Sequence, residues 1–318
     1  MSIEKKGAFL TLLGGVCWGL SGSCGQFLFR SEGMTTNWLV PIRLGLAGFI
    51  LLVYSFYKYG KETLEPWRTS RDRIDLIIYG ILGVSCCQYL YFLTIQLSSA
   101  GIATIMQDLS PVMILMVSCI IARRIPRSNE ILSVVLALIG VVLITTHGSL
   151  NSFAIPTSAI LTGVVSAVCV TIYNMEPVKL LKKYPVSILQ GWAFLLGSVM
   201  FNLLFQPWKI SYTPNLSGIL GIAFVVIIGN VVAFTTYMSG VRLIGAEKAI
   251  LYGFAEPVTA AIITACFMGS PFTIYDALGF AAIFGMLALI SFNSPEKSPA
   301  EAVTQKVRHH NGLFAGGK

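Results

Sequence analysis

The sequence predicts an all-α integral membrane protein of ten transmembrane helices, arranged as two inverted five-helix repeats. Three observations carry the prediction. Hydrophobic residues make up 55% of the 318-residue chain and charged residues only 11%, whereas a soluble domain carries about 25% charge. A surface that poor in charge faces lipid rather than water. Apolar stretches of about 20 residues, each long enough to cross the hydrocarbon core, recur along the chain, and lysine and arginine gather in alternate loops between them.

The first half is expected to cross at 8–29, 36–58, 74–97, 100–122 and 129–147. The first span follows Lys5 and Lys6 and lacks a short apolar core with a small-residue cleavage site, so it reads as a retained helix. It holds the run "GGVCWGLSGSCG" at 14–25. Gly15 and Gly19 form a GxxxG pair there, the small-residue spacing that lets helix backbones approach closely in lipid. Gly22, beside Trp18, suits a hinge or a backbone facing a ligand. The second span carries Arg43. The third and fourth meet at a joint at 97–100, split because the merged segment would exceed one crossing. The fourth carries "QDLSP" with Pro111, and the fifth opens on Asn129 and Glu130.

The second half is expected at 157–179, 186–206, 216–239, 246–268 and 273–293. The sixth span repeats the small-residue spacing at Gly163 and Ala167. The ninth carries Glu256 and Pro257, and a joint at 269–273 separates it from the tenth. Residues 1–150 form the first repeat, 151–294 the second, and 295–318 a polar tail expected to be disordered.

With the N-terminus inside, the inner segments hold Lys58, Lys61, Arg68, Arg71 and Arg73, then Arg123, Arg124 and Arg127, then Lys179, Lys182 and Lys183. Of the 22 Lys and Arg, the outer loops hold only Arg30 and Lys209, and Arg43 lies within a span. This positive-inside bias puts both termini in the cytoplasm of a multi-pass cell-membrane protein. It also accounts for the net charge of +8 without a nucleic-acid partner. The seven cysteines fall in apolar spans and read as small fillers; no metal site or cofactor is expected. His309 and His310 belong to the tail.

An offset of 146 aligns the halves. It carries Gly83 onto Gly229, Tyr91 onto Tyr237, Leu97 onto Leu243, Ala100 onto Ala246 and Pro111 onto Pro257. Five spans per repeat is an odd number, so the second copy lies upside-down, a recurring design of secondary transporters.

These features resemble the EamA-type members of the drug/metabolite transporter superfamily. The likeness rests on "CWGLSG" in the first span, "RLGLAG" in the second, "THG" at 146–148 and "LIGAEKAIL…AEP" at 243–257. It runs over nearly the whole chain and is nearest to the YicL-like proteins. It implies a helical basket around a central cavity, and export or exchange of small metabolites such as amino acids, amines or related compounds. The glutamates that commonly end the fourth and ninth helices of that family are absent here, where the chain reads "ARRIP" (122–126) and "MGSP" (268–271).

Ionisable groups inside the bilayer cost about 2.5–3.5 kcal/mol each at a helix centre, so they are the first candidates for function. Arg43 and Asp108 lie at equal predicted depth, which permits an ion pair; either that pair or a coupling role for Asp108 is expected. Glu256 precedes Pro257, where a backbone acceptor is freed, and suits a cation or amine. The substrate-binding set is therefore Trp18, Asp108, Asn230, Tyr252 and Glu256, with Gln88, Tyr89, Tyr91, Tyr173, Asn174, Trp192 and Tyr237 as a wider group. Glu176 and His147 read as interfacial. Gly15, Gly19, Gly22, Pro111 and Pro257 are the packing or hinge positions.

The expected function is secondary transport of a small molecule by alternating access, with a proton or counter-substrate as coupling partner. No G-x-x-x-x-G-K-[ST] loop is present to bind ATP. The alternatives are an intramembrane enzyme, for which neither H-E-x-x-H nor G-x-S-x-G occurs, and a receptor or scaffold, for which the short loops offer little surface.

Overall fold

The computed structural model describes residues 2–146, 156–267 and 273–292. His147 and Gly148 of "THG", "MGSP" and the tail lie outside them. Among the described residues the chain is helical and contains no strand. The first half comprises α1 (Ile3–Arg30), α2 (Thr36–Tyr59), α3 (Ser70–Leu97), α4 (Ala100–Ala122) and α5 (Ser128–Thr146). The second comprises α6 (Thr157–Met175), α7 (Val186–Phe205), α8 (Leu216–Ile244), α9 (Ala246–Tyr252 and Ala255–Phe267) and α10 (Ile274–Phe292).

Among the described residues, seven helical runs are long and apolar enough to cross a membrane: α1 to α4 and α6 to α8. The apolar windows of α5 and α10 are shorter, and α9 is in two pieces. Large apolar side chains cover the outer faces, among them Phe49 at 66% exposure, Ile121 at 72% and Leu203 at 70%. An apolar belt of that extent fits lipid and would be an aggregation hazard in water.

The internal repeat is visible in the helix irregularities. A π-helical stretch interrupts α3 at Ile78–Ser85 and α8 at Val225–Val232. Short breaks divide α4 at Asp108–Leu109 and α9 at Gly253–Phe254. Both pairs fall within a residue or two of the offset seen in the sequence. Proline explains the breaks: Pro111 and Pro257 have no N–H for the carbonyl four residues back. At the second break the Glu256 N–H instead reaches the Gly253 carbonyl at 2.9 Å. The α8–α9 joint turns on Gly245 at φ +81, a conformation glycine adopts without the Cβ penalty.

Packing repeats the same pattern. Helix α2 lies along α7, and α5 along α10; α1 packs on α8 and α9, as α6 packs on α3 and α4. Exchanging each helix with its counterpart in the other half leaves this arrangement unchanged. The main core runs through Leu44, Phe92, Phe194, Phe234 and Tyr237. A smaller one lies between α5, α9 and α10, around Val141, Phe254 and Ile283.

The GxxxG pair sets how closely α1 meets α9. A Cβ on Gly15 would stand 2.7 Å from the Gly253 carbonyl oxygen, and one on Gly19 would stand 2.5 Å from that of Glu256. Across the pseudo-symmetry, Gly163 of α6 presses against the Met106 side chain of α4.

Ion pairs tie the halves together at the end of the bundle where the basic segments gather. Lys183 reaches Asp72 at 2.8 Å, Lys248 reaches Glu4 at 2.6 Å, and Arg124 reaches Glu247 at 3.6 Å. The Tyr184 hydroxyl also donates to Asp72, at 2.8 Å.

Candidate functional site

A partly open cavity lies between α1, α2, α3, α4, α6, α8 and α9. Helical spacing assembles its walls. On α1, Trp18, Ser21 and Gly22 share a face at i, i+3 and i+4; on α3, Gln88, Tyr91 and Phe92 do the same, with Cys87 adjacent. Tyr173 and Phe234 close the far side, Gln107 comes from the break in α4, and Arg43 and Glu256 bring opposite charges.

Trp18 is held by three contacts. Its indole N–H donates to the Gly229 carbonyl at 3.1 Å, within the π-helical stretch of α8. Its ring packs on Phe234 and Tyr237, with centroids 4.8 and 4.7 Å apart. Tyr237 is fixed in turn by its hydroxyl donating to Asn174 Oδ1 at 2.9 Å. The indole thus presents a fixed aromatic wall to the cavity.

Glu256 accepts a hydrogen bond from the Tyr91 hydroxyl at 3.0 Å, and that hydroxyl also lies 3.3 Å from Thr104 Oγ1. Asp108, at the α4 break, stands within electrostatic reach of Glu256. One of its carboxylate oxygens, Oδ2, is buried without a hydrogen-bond partner. The two helix breaks therefore bring one carboxylate from each half into a common neighbourhood. The amide of Gln107 donates to Ser166 Oγ at 3.0 Å and Cys87 Sγ at 3.2 Å.

The salt bridge expected between Arg43 and Asp108 does not form. Arg43 is 1% exposed, donates through Nη2 to Gln88 Oε1, and lays its guanidinium over the Phe92 ring at 3.9 Å. Equal depth along two helices left their rotation and lateral separation open, and packing turned Arg43 toward α3.

Of the five expected substrate-binding residues, Trp18 and Glu256 line this cavity, whereas Asp108, Asn230 and Tyr252 do not. Asn230 is fully buried with neither side-chain polar atom hydrogen-bonded, and Tyr252 is buried in the core. Of the wider group Gln88, Tyr91 and Tyr173 line it; Tyr89 stacks instead on Phe205, and Trp192 donates to the Thr63 carbonyl. Cys87, Phe92 and Phe234 are cavity residues that read as ordinary core in the sequence. For Cys87 and Phe92 the signal was their helical spacing from Tyr91 and Gln88, legible only once those two were placed. Among the described residues, no three His, Cys, Asp or Glu side chains are grouped to hold a metal ion.

The model of the EamA-like transporter family matches residues 5–146 and 157–292, one match in each half. The chain belongs to the EamA-like transporter family. It is 31% identical to the uncharacterized inner membrane transporter YicL of Salmonella typhimurium, over 94% of this chain and 100% of that one. It is 23% identical to the uncharacterized transporter YyaM of Bacillus subtilis, over 80% of this chain and 87% of that one. A solved crystal structure superposes with a TM-score of 0.74 at 17% identity, covering 92% of this chain and 98% of the other; that likeness speaks for the fold alone. Family membership and the apolar helices establish a multi-pass membrane protein of a transporter family, with two EamA units in one chain.

Proposed function

We propose that this EamA-family chain is a secondary active transporter, working as an exporter, that moves a small amphipathic metabolite by alternating access. In this reading α5, α9 and α10 also cross the bilayer. Ten crossings then form two inverted repeats at 1–150 and 151–294, with both termini in the cytoplasm of the cell membrane. The observation that carries the reading is the cavity itself. It takes walls from both halves, and the proline-linked breaks of α4 and α9 lie beside it. Broken helices at a repeat interface are where transporters place their sites.

Aromatic walls at Trp18, Tyr91 and Tyr173 would hold the apolar body of the substrate, and Glu256 would meet an amine. Asp108 and Glu256 would pass a proton or answer a counter-substrate as the halves exchange. Gly22 would bring the α1 backbone to the cavity edge, where a Cβ would meet only the Tyr91 hydroxyl, at 3.1 Å.

The test has two steps. Cells overproducing the protein are screened for tolerance to a panel of toxic amino acids, amines and related analogues. The compound class exported is then followed in proteoliposomes with and without a pH gradient. Wild type should move it against a gradient, and Glu256→Gln or Asp108→Asn should abolish the pH dependence. Variants that both behave as wild type would remove the coupling role. A screen with no exported class, together with no counterflow, would overturn the transporter reading.

A further inference from the structure

We propose that Arg43 is an anion-binding subsite of the cavity, so that the transported molecule carries a carboxylate or a similarly compact negative group. The inference rests on the cavity being the substrate site and goes beyond it by naming the charge the substrate must bring.

A guanidinium offers five N–H donors in a planar fork and stays charged in proteins. Here the side chain is 1% exposed yet lines the cavity. Its Nη2 is satisfied by the neutral Gln88 oxygen and its face by the Phe92 ring. Its Nε and Nη1 are buried and have no hydrogen-bond partner. Among the described residues no carboxylate ion-pairs with it. Asp108, the acid expected to do so, makes no ion pair with it, and Glu256 accepts from the Tyr91 hydroxyl. An uncompensated buried charge costs several kcal/mol, and unmade hydrogen bonds add to that. Such a group persists where something else supplies the missing charge. Of the groups lining the cavity, only Glu256 is acidic, and it occupies the wall formed by α9. The missing anion is therefore a visitor to the cavity.

The same reasoning explains why the fold leaves Gln88 opposite Arg43. A glutamate there would neutralise the guanidinium permanently and close the subsite. A neutral amide orients the fork through one donor and leaves others for the ligand.

The experiment uses the full chain in lipid nanodiscs and three probes of one shape: 3-phenylpropanoate, its neutral amide 3-phenylpropanamide, and 2-phenylethylamine. The readout is the unfolding midpoint as a function of probe concentration. Wild type should bind the carboxylate about tenfold or more tightly than the amide, the discrimination of a hydrogen bond to a charged group. Arg43→Gln should erase that preference. Gln88→Glu guards against simple misfolding. It should raise the midpoint without probe, because it supplies the counter-charge from within, and should erase the preference as well.

Equal binding of carboxylate and amide by wild type, or a preference surviving in Gln88→Glu, would overturn the proposal. If only the amine binds, and does so through Glu256, the cavity stands as a substrate site and the Arg43 subsite falls. If none of the three binds, the cavity reading falls and the subsite with it.

Discussion

Replacing Gly19 by alanine adds one methyl group where α1 crosses the break in α9. The new Cβ would stand 2.5 Å from the Glu256 carbonyl oxygen, 2.8 Å from Thr259 Cβ and 3.1 Å from the Ala260 backbone nitrogen. Carbon atoms in good contact sit about 3.5–4.0 Å apart, so the two helices must separate by roughly 1 Å. Two of the three obstacles are backbone and cannot rotate away. Overpacking of this kind costs about 1–3 kcal/mol. Alanine also gains up to about 1 kcal/mol of helix propensity over glycine, which masks part of the cost. A matched control removes that ambiguity. At Gly285 on α10 a Cβ would enter open space, with nothing within 4 Å, so Gly285→Ala carries the propensity gain alone. The difference in stability between the two variants isolates the clash and should be about 1–3 kcal/mol. Reversible unfolding in mixed micelles, followed by tryptophan fluorescence, measures it. A Gly19→Ala protein as stable as Gly285→Ala, within about 0.5 kcal/mol, would refute the claim that close approach of α1 to α9 requires glycine.

Three further outcomes are expected. Asn230→Leu removes a fully buried amide whose polar atoms have no partner; it should raise stability by about 1–3 kcal/mol, and a fall in the same unfolding assay would show that the amide serves a bound species. Trp18→Phe deletes the hydrogen bond to the Gly229 carbonyl while keeping an aromatic ring; it should cost about 1 kcal/mol and weaken binding of the phenyl probes, and unchanged values on both counts would show that the indole is not fixed by that bond. Neutralising Lys183, Glu247 and Lys248 together breaks three ion pairs between the halves. The Arg124–Glu247 and Lys248–Glu4 pairs are partly exposed and worth at most about 1 kcal/mol each, and the buried Asp72 keeps the Tyr184 hydroxyl as a donor, so the fold should survive. Labelling of Cys87, which lines the cavity, by a thiol reagent applied to the basic end should accelerate, and an unchanged rate would show that the pairs do not hold that end closed.

Much of the fold was legible in one dimension. Apolar runs and basic loops report what each segment faces, and facing lipid or water is a local property of composition. The offset of 146 found in the sequence reappears in the paired π-helical stretches, the paired breaks and the start of α10 after Thr273. Pro111 and Pro257 announced the breaks because a missing N–H is a property of the residue itself. Trp18 and Glu256, both of which line the cavity, stand out in the sequence because a large aromatic and a carboxylate are rare and costly inside an apolar span.

What the sequence by itself determined, then, was the helical class, the apolar membrane-facing character of its helices and the kinship of the two halves. The tertiary structure decided which costly residues meet. Arg43 and Asp108 matched in depth, but depth is one coordinate of three. Rotation about each helix axis and the distance between axes come from packing, and packing set Arg43 against Gln88 and Phe92. Likewise Gly15 and Gly19 declared a close-packing face in the sequence without naming its partner. The partner is the broken stretch of α9 that carries Glu256, because a helix without Cβ atoms on one face can lie directly on another helix's exposed backbone.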